Sequence, residues 1–183
     1  MMNASPQLQD ARLVDRLCNG DLDALGLLYQ RYGKDVRSVL LRVEPTMRRE
    51  DADDLCQEVF LTLVDTLNRY EEQGKMRSWL FGIAVRKARS WRRGRWTRFV
   101  LGRQHGEAAA GVSLQTDRVE ERLIARQRVD AALRAMPVSQ REVVVLNVVE
   151  GLSARETAAV LGISENAVAT RLHRARQALE VRS

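Results

Sequence analysis

The stretch LGISENAVATRLHRARQALE, residues 161–180, decides the fold class of the C-terminal part of the chain. On a helical wheel its apolar positions form one narrow stripe, made of Val168, Leu172, Ala175 and Leu179. The opposite face is polar and carries Asn166, Thr170, His173, Arg174 and Gln177. Asn and Gln can bind adenine edges, Thr can contact a thymine methyl group, and Arg can bind guanine or phosphate. The pattern therefore predicts a helix that packs on one side and reads DNA with the other.

The residues before this helix predict a helix-turn-helix. Ser153 and Glu156 have the spacing of a capping box, Gly162 predicts a sharp turn, and Ser164 predicts the cap of the last helix. A helix, a tight turn and a second helix in this order are typical of the DNA-binding motif. A second capping box is predicted from Ser139 to Glu142. A helical hairpin with a purely structural role is the alternative interpretation.

Composition indicates helices throughout, because Ala, Leu, Val, Arg and Glu are abundant and Pro is scarce. We predict an all-α fold of two small helical domains joined by a flexible linker, the C-terminal domain being a helix-turn-helix. Residues 102–116 are rich in Gly and small side chains and have no apolar period, which is typical of a linker. The predicted division is an N-terminal segment at 1–20, domains at 21–101 and 117–183, and the linker between them.

Positive charge is concentrated in one segment. Residues 80–103 contain eight basic and no acidic side chains, whereas the flanking parts are close to balanced. Trp91 and Trp96 lie among these cations, so the segment offers phosphate contacts together with rings that can stack on unpaired bases. The alternative is a solvated helix end with tryptophans from the core. Trp79 fits that alternative, Trp91 fits either interpretation, and Trp96 is the least explained by packing.

Several classes of function find no support in the sequence. Cys18 and Cys56 lie in helical patterns without a second ligand nearby, which favours small buried side chains over a disulfide or metal site. His105 and His173 fall in the linker and on the polar helix face. We therefore predict no enzyme, no cofactor, no metal and no small-molecule substrate. The N-terminus is polar and no apolar run is long enough to span a bilayer, so we expect a cytoplasmic protein without membrane insertion.

Two segments resemble a known family. MPVSQREVVVLNVVEGLSARETAAVLGISENAVATRLHRARQAL, residues 136–179, resembles the fourth conserved domain of bacterial sigma-70 factors, above all of the extracytoplasmic-function group. DADDLCQEVFLTLVDTL (51–67) and KMRSWLFGIAVRKARSWRRGR (75–95) resemble the second conserved domain of the same family. The two matches occur in the expected order, and no third domain lies between them.

The resemblance implies a sigma factor that binds core RNA polymerase, recognises the −35 and −10 promoter elements and is controlled by an anti-sigma factor. The residues expected at the −35 element are Ser164, Glu165, Asn166, Thr170, Arg171, His173, Arg174 and Gln177. Those expected at the −10 element and in strand melting are Asn68, Arg69, Tyr70, Lys75, Arg86, Lys87, Arg89, Arg92, Arg93 and Trp96. Those expected to bind core polymerase are Asp54, Leu55, Gln57, Glu58, Phe60 and Leu61.

The chain departs from the family pattern at a few positions. Arg86 and Ser90 stand where the family often has Asn and Asp, Thr157 where Ile is usual, and Asn166-Ala167 where Gly-Thr is common. The alternative function is a helix-turn-helix regulator that is no polymerase subunit, but the receiver or ligand domain it would need is not indicated. The linker would also allow the two domains to pack together in the free protein, which would hide both DNA surfaces.

Overall fold

The computed structural model describes residues 6–67, 75–100 and 127–180, and all regular structure in these ranges is helical. The N-terminal half consists of α1 (Pro6–Cys18), α2 (Asp23–Val43), α3 (Arg49–Thr66) and α4 (Met76–Val100). The C-terminal half consists of α5 (described over 127–135), α6 (Val138–Val143), a π-helical segment (Val144–Val149), α7 (Ala154–Leu161) and α8 (Glu165–Glu180). The predicted all-α fold is confirmed.

Helices α2, α3 and α4 pack against one another and α1 packs on α2. Leu28, Leu63 and Phe81, one from each of the three central helices, are fully buried between them. The carboxylate of Asp10 ties α1 to α2, since it accepts hydrogen bonds from the Tyr32 hydroxyl at 2.5 Å and from Arg31 at 2.6 Å. Helix α1 begins at Pro6, within the stretch 1–20 that the sequence set apart only as an N-terminal segment.

Helix α4 is longer than its apolar pattern indicates. Apolar residues no longer recur at helical spacing after Ala84, yet the helix continues to Val100. Most of the basic segment therefore lies on one continuous helix. Its first half is buried, with Leu80 and Ala84 inaccessible to solvent, and its second half exposes Arg93 and Trp96. The basic side chains are therefore presented from a helix that the core holds in place.

The helix-turn-helix is built as the sequence predicted. Ser153 and Glu156 form the reciprocal capping box of α7, with the Glu156 backbone N–H donating to Ser153 Oγ at 3.2 Å. Gly162 ends α7 with φ of +68°, a conformation that favours glycine. In α8, Val168 and Ala175 are buried against α6 and α7, whereas the prediction of a buried Leu179 is wrong. Leu179 lies in the last turn of α8 and is 38% exposed.

The predicted capping box at Ser139 and Glu142 is not formed. Helix α6 begins at Val138 after Pro137, and no side chain caps it. The Glu142 carboxylate instead reaches the N-terminal half of the chain, where it contacts Arg89. The local spacing was correct for a cap, but a cation distant in sequence takes the carboxylate.

A π-helical segment follows α6 directly. The backbone N–H of Glu150 donates to the carbonyl of Val145, five residues back, at 2.9 Å. Valines occupy four of the six positions from Val144 to Val149, and β-branched side chains are crowded in an α-helix. The wider turn changes the face on which Glu150 emerges.

The two halves of the chain are in contact. Helix α4 touches α7, and α2 touches both α6 and the π-helical segment. The buried apolar residues of both halves belong to one continuous cluster. Within the described ranges both cysteines are free thiols, but only Cys56 is buried, so the expectation of a buried Cys18 is wrong. None of the described helices is long and apolar enough to cross a membrane.

Candidate nucleic-acid interface

The polar face of α8 is open to solvent. Glu165, Asn166, Thr170, His173, Arg174 and Gln177 are exposed, and Arg171 is half-buried beside them. Ser164 caps the helix, its Oγ accepting the Ala167 backbone N–H at 3.2 Å. The Thr170 hydroxyl donates to the carbonyl of Asn166 at 2.8 Å, which leaves its methyl group and its oxygen lone pairs for other contacts. The arrangement presents amide, imidazole and guanidinium groups on one ridge, as a helix entering a DNA major groove requires.

The candidate DNA-binding cations of α4 differ in whether a carboxylate of the same chain contacts them. Arg86 and Arg93 are exposed. Lys87 contacts Glu58 of α3 at 2.8 Å, and Arg92 contacts the buried carboxylate of Glu44 at 3.3 Å. Carboxylates within the same half therefore partly neutralise two of the predicted phosphate contacts.

Arg89 is held by the other half of the chain. Its Nε donates to Glu142 Oε1 at 2.9 Å and its Nη2 to Oε2 at 2.7 Å, a bidentate pair. The hydrogen bonds that Arg89 donates to Glu142 raise the pKa of Arg89. A geometry of this kind is the strongest form of the arginine–carboxylate contact, so Arg89 must exchange Glu142 for phosphate before it can bind DNA.

Three aromatic side chains near the basic segment have different surroundings. Trp79 and Trp91 are half-buried and pack against the core. The Arg95 guanidinium lies over the Trp91 ring, 5.5 Å from its centroid, and also donates to the Thr46 carbonyl at 2.8 Å. Trp96 is 68% exposed. Among the aromatic side chains that the structure describes in α4, it is the most exposed.

The predicted polymerase-binding residues of α3 divide between two faces. Asp54, Gln57, Glu58 and Leu61 are exposed, and Leu61 shows 61% of its surface. Leu55 and Phe60 lie in the core, where the Phe60 ring packs edge-on against Tyr29 with centroids 5.0 Å apart. The predicted residues all lie on α3, but two of them face inward.

Three of the predicted residues lie outside the described part of the chain, and one exposed arginine of α8 was not predicted. Asn68, Arg69 and Tyr70 lie outside the described residues, while Lys75 is exposed just before α4. Arg176 lies on the exposed surface of α8 and was not among the predicted residues, although RLHRAR contains it. In the described part of the chain no cluster of His, Cys, Asp and Glu could hold a metal ion.

Comparisons with known proteins match both halves of the chain to one family. The family model described as sigma-70 region 2 matches residues 28–98, and that described as sigma-70, region 4 matches residues 126–179. The RNA polymerase sigma factor CnrH of Cupriavidus metallidurans is 32% identical, over 96% of this chain and 94% of its own. The ECF RNA polymerase sigma-E factor of Escherichia coli is 28% identical, over 96% of this chain and 95% of its own.

A solved structure of CnrH in complex with the cytosolic domain of CnrY has the same architecture. It superposes with a TM-score of 0.68 and 27% identity, covering 94% of this chain and 96% of that one. The sigma factor RpoE from Bartonella quintana, solved in complex with the anti-sigma factor NepR, shares the fold with a TM-score of 0.69 at 21% identity. The chain belongs to the sigma-70 family of RNA polymerase sigma factors, in its extracytoplasmic-function group.

Proposed function

We propose that the two halves of this sigma factor divide promoter recognition between them. The domain at 117–183 reads the −35 element through α8, and the domain at 21–101 binds core RNA polymerase and opens the −10 element. No catalytic step is assigned to the chain itself, because synthesis belongs to the polymerase. A chain with these partners works in the cytoplasm, where the chromosome and the polymerase are.

The observation that carries this proposal is the exposed polar ridge of α8 above a buried apolar stripe. Burial of Val168 and Ala175 fixes the orientation of α8. Asn166 and Arg174 therefore stand at defined positions on the helix face that points away from the core. Rigid presentation of short polar side chains supports base-edge reading rather than phosphate contact alone. Asn166 and Ala167, where the family commonly has Gly and Thr, are the positions that we expect to set a distinct −35 preference.

For the N-terminal half, exposed Trp96 together with Arg86 and Arg93 supports capture of single-stranded DNA. Stacking of a base on an aromatic side chain contributes about 1–3 kcal/mol, comparable to the few kcal/mol that unstacking costs. Strand opening without ATP is therefore energetically accessible. The exposed face of α3, with Leu61 at its centre, is the surface that we assign to core polymerase.

The chain is also proposed to bind an anti-sigma factor. The support is the likeness over nearly the whole chain to CnrH, which was solved with the cytosolic domain of CnrY. Because the two halves of this chain are in contact, such a partner would meet them as one compact body. A pull-down with a candidate anti-sigma factor from the same organism, followed by loss of transcription on its addition, tests this point.

Transcription with purified core polymerase tests the main proposal. The template library has randomised −35 and −10 blocks, and transcripts are sequenced with and without the protein. We expect initiation only when the protein is present, from templates that share two sequence blocks. Duplex binding without initiation would support the alternative of a helix-turn-helix regulator and would overturn the proposal.

A further inference from the structure

The contact between the two halves is made by polar groups as well as by the apolar cluster. Arg141, which is 8% exposed, donates from Nη1 to the Val43 carbonyl at the end of α2, at 3.1 Å. A cation is favourable there because the last carbonyls of a helix lack partners and carry partial negative charge. The C-terminal half is thus docked in a defined register on the end of α2.

Glu142 and Arg89 form the most specific contact across this boundary. Side-chain exposure is 3% for Glu142 and 29% for Arg89, and both carboxylate oxygens are used. Low exposure reduces screening by solvent and salt, so the attraction within this pair is less salt-sensitive than that of an ion pair on the surface. While the two halves are in contact, Glu142 therefore occupies Arg89, a cation that would be available to DNA if the halves were apart.

A second carboxylate at the same boundary carries a cost of burial. Glu150 accepts from Arg77 at 2.6 Å and lies 3.3 Å from Arg42, with 7% of its side chain exposed. Burial nevertheless raises the pKa of Glu150, and the charges of Arg77 and Arg42 oppose that change without reversing it. Removing this carboxylate from water is costly, which limits how tightly the halves hold each other.

Closure affects the two DNA surfaces unequally. Helix α8 contacts α6 and α7 of its own half, and its polar face stays exposed. Helix α4 is covered on one side by α7, and Arg89 is occupied. The sequence-based expectation that packing would hide both DNA surfaces is therefore wrong, since only the α4 surface is engaged.

We propose that Glu142 and Arg89 close a reversible clasp in the free sigma factor, which withholds part of α4 from −10 DNA while α8 remains free to read the −35 element. For the DNA consequence the inference rests on the proposed function of α4. Binding of α8 to duplex would then come first, and exchange of Glu142 for phosphate at Arg89 would follow. The chain itself thereby sets the order in which the two promoter elements are bound, without a partner.

Small-angle X-ray scattering of the full chain tests the clasp independently of DNA. A compact chain of this length has a radius of gyration of about 16 Å, and separation of the domains on the predicted linker increases it by roughly 5 Å or more. We expect the wild type to be compact and Glu142→Arg to be expanded. Arg89→Glu combined with Glu142→Arg should restore the compact value, and Glu180→Gln, at an exposed acid of α8, should match the wild type.

Three results would overturn the clasp: an expanded wild type, a compact Glu142→Arg variant, or a charge-swapped variant that stays expanded. Circular dichroism establishes that each variant keeps its helices. If Glu142→Arg loses them, the milder Glu142→Gln takes its place with the same expected expansion.

Binding of fluorescent single-stranded −10 DNA supplies the second measurement. One released phosphate contact on single-stranded DNA is worth about fivefold in affinity at 0.1 M salt, so Glu142→Gln should bind about fivefold more tightly than the wild type. If an expanded variant binds with unchanged affinity, α4 does not bind this DNA, and the clasp proposal stands. If the affinity is unchanged and the variant is still compact, the clasp proposal is wrong.

Discussion

Replacement of Thr157 by Val should stabilise this protein, although it deletes a polar group from the helix-turn-helix. Thr157 lies in α7 and is completely buried, and its hydroxyl has no hydrogen-bond partner among the described residues. The sequence family usually has Ile at this position. Valine has nearly the shape of threonine, so the substitution removes the unsatisfied hydroxyl without opening a cavity or adding volume.

The expected gain follows from the cost of burying an unpaired hydroxyl. That cost is about 1–3 kcal/mol, so we expect the free energy of unfolding to rise by roughly 1–2 kcal/mol. If the two halves unfold together, the melting temperature should rise by about 2–4 °C for each kcal/mol. The matched control is Thr62→Val, because Thr62 is on the surface of α3 and its hydroxyl donates to the Glu58 carbonyl at 2.8 Å. Its effect should stay within about 0.5 kcal/mol of zero.

Urea unfolding followed by circular dichroism measures both variants. Thr157→Val should move the midpoint upward with an unchanged slope, which identifies a change in stability rather than in the unfolded state. Affinity for −35 duplex should be unaffected, since Thr157 is remote from the exposed face of α8. A Thr157→Val variant that is no more stable than the wild type would show that the hydroxyl is satisfied, and the reasoning would fail.

Further predictions concern the cap and the two DNA surfaces. Ser153→Ala should cost about 1 kcal/mol of unfolding free energy. The Ser153 hydrogen bonds lower the pKa of Glu156 from its ordinary 4.5, so their stabilisation is present above pH 4.5 and is lost as pH falls through the lowered value. A Ser153→Ala variant whose stability depends on pH as the wild type's does would contradict this. Arg174→Ala should weaken −35 duplex binding and reduce the slope of log K against log salt by about 0.9, and an unchanged slope in fluorescence anisotropy would exclude a phosphate contact. Trp96→Ala should weaken single-stranded −10 binding by about 1–3 kcal/mol in the same assay and leave −35 duplex binding unchanged, whereas loss of both would indicate a folding defect.

Local features of the C-terminal half could be predicted from sequence because their causes are local. The capping box of Ser153, the turn at Gly162 and the buried positions Val168 and Ala175 all depend on residues within one or two turns. Glu142 shows where such reasoning ends. Its spacing from Ser139 satisfies the capping pattern, but the structure gives it to Arg89, 53 residues away. No local pattern contains that partner.

The α3 motif illustrates a different limit. Similarity to the family identified the helix as a whole, and it could not distinguish Leu61, which faces solvent, from Phe60, which faces Tyr29. Adjacent residues of a helix point about 100° apart, so the choice of face depends on how the neighbouring helices pack. The same holds for α4, where carboxylates of α3, of α6 and at the end of α2 determine which basic side chains remain available.

The π-helical segment acts on the clasp as an inserted residue would. In a regular α-helix, positions eight apart such as Glu142 and Glu150 differ by about 80° around the axis. A π turn takes up one additional residue, which reduces the difference to about 20° and lets both carboxylates face the N-terminal half. Deletion of one valine from Val144–Val149 would leave the two acids seven positions apart, about 20° in a regular α-helix, so both would still face the N-terminal half. A regular α-helix over the full segment would instead turn Glu150 away from Arg77 with both acids still in place. The type of helix in this segment, as much as charge, thus decides whether the two halves fit together.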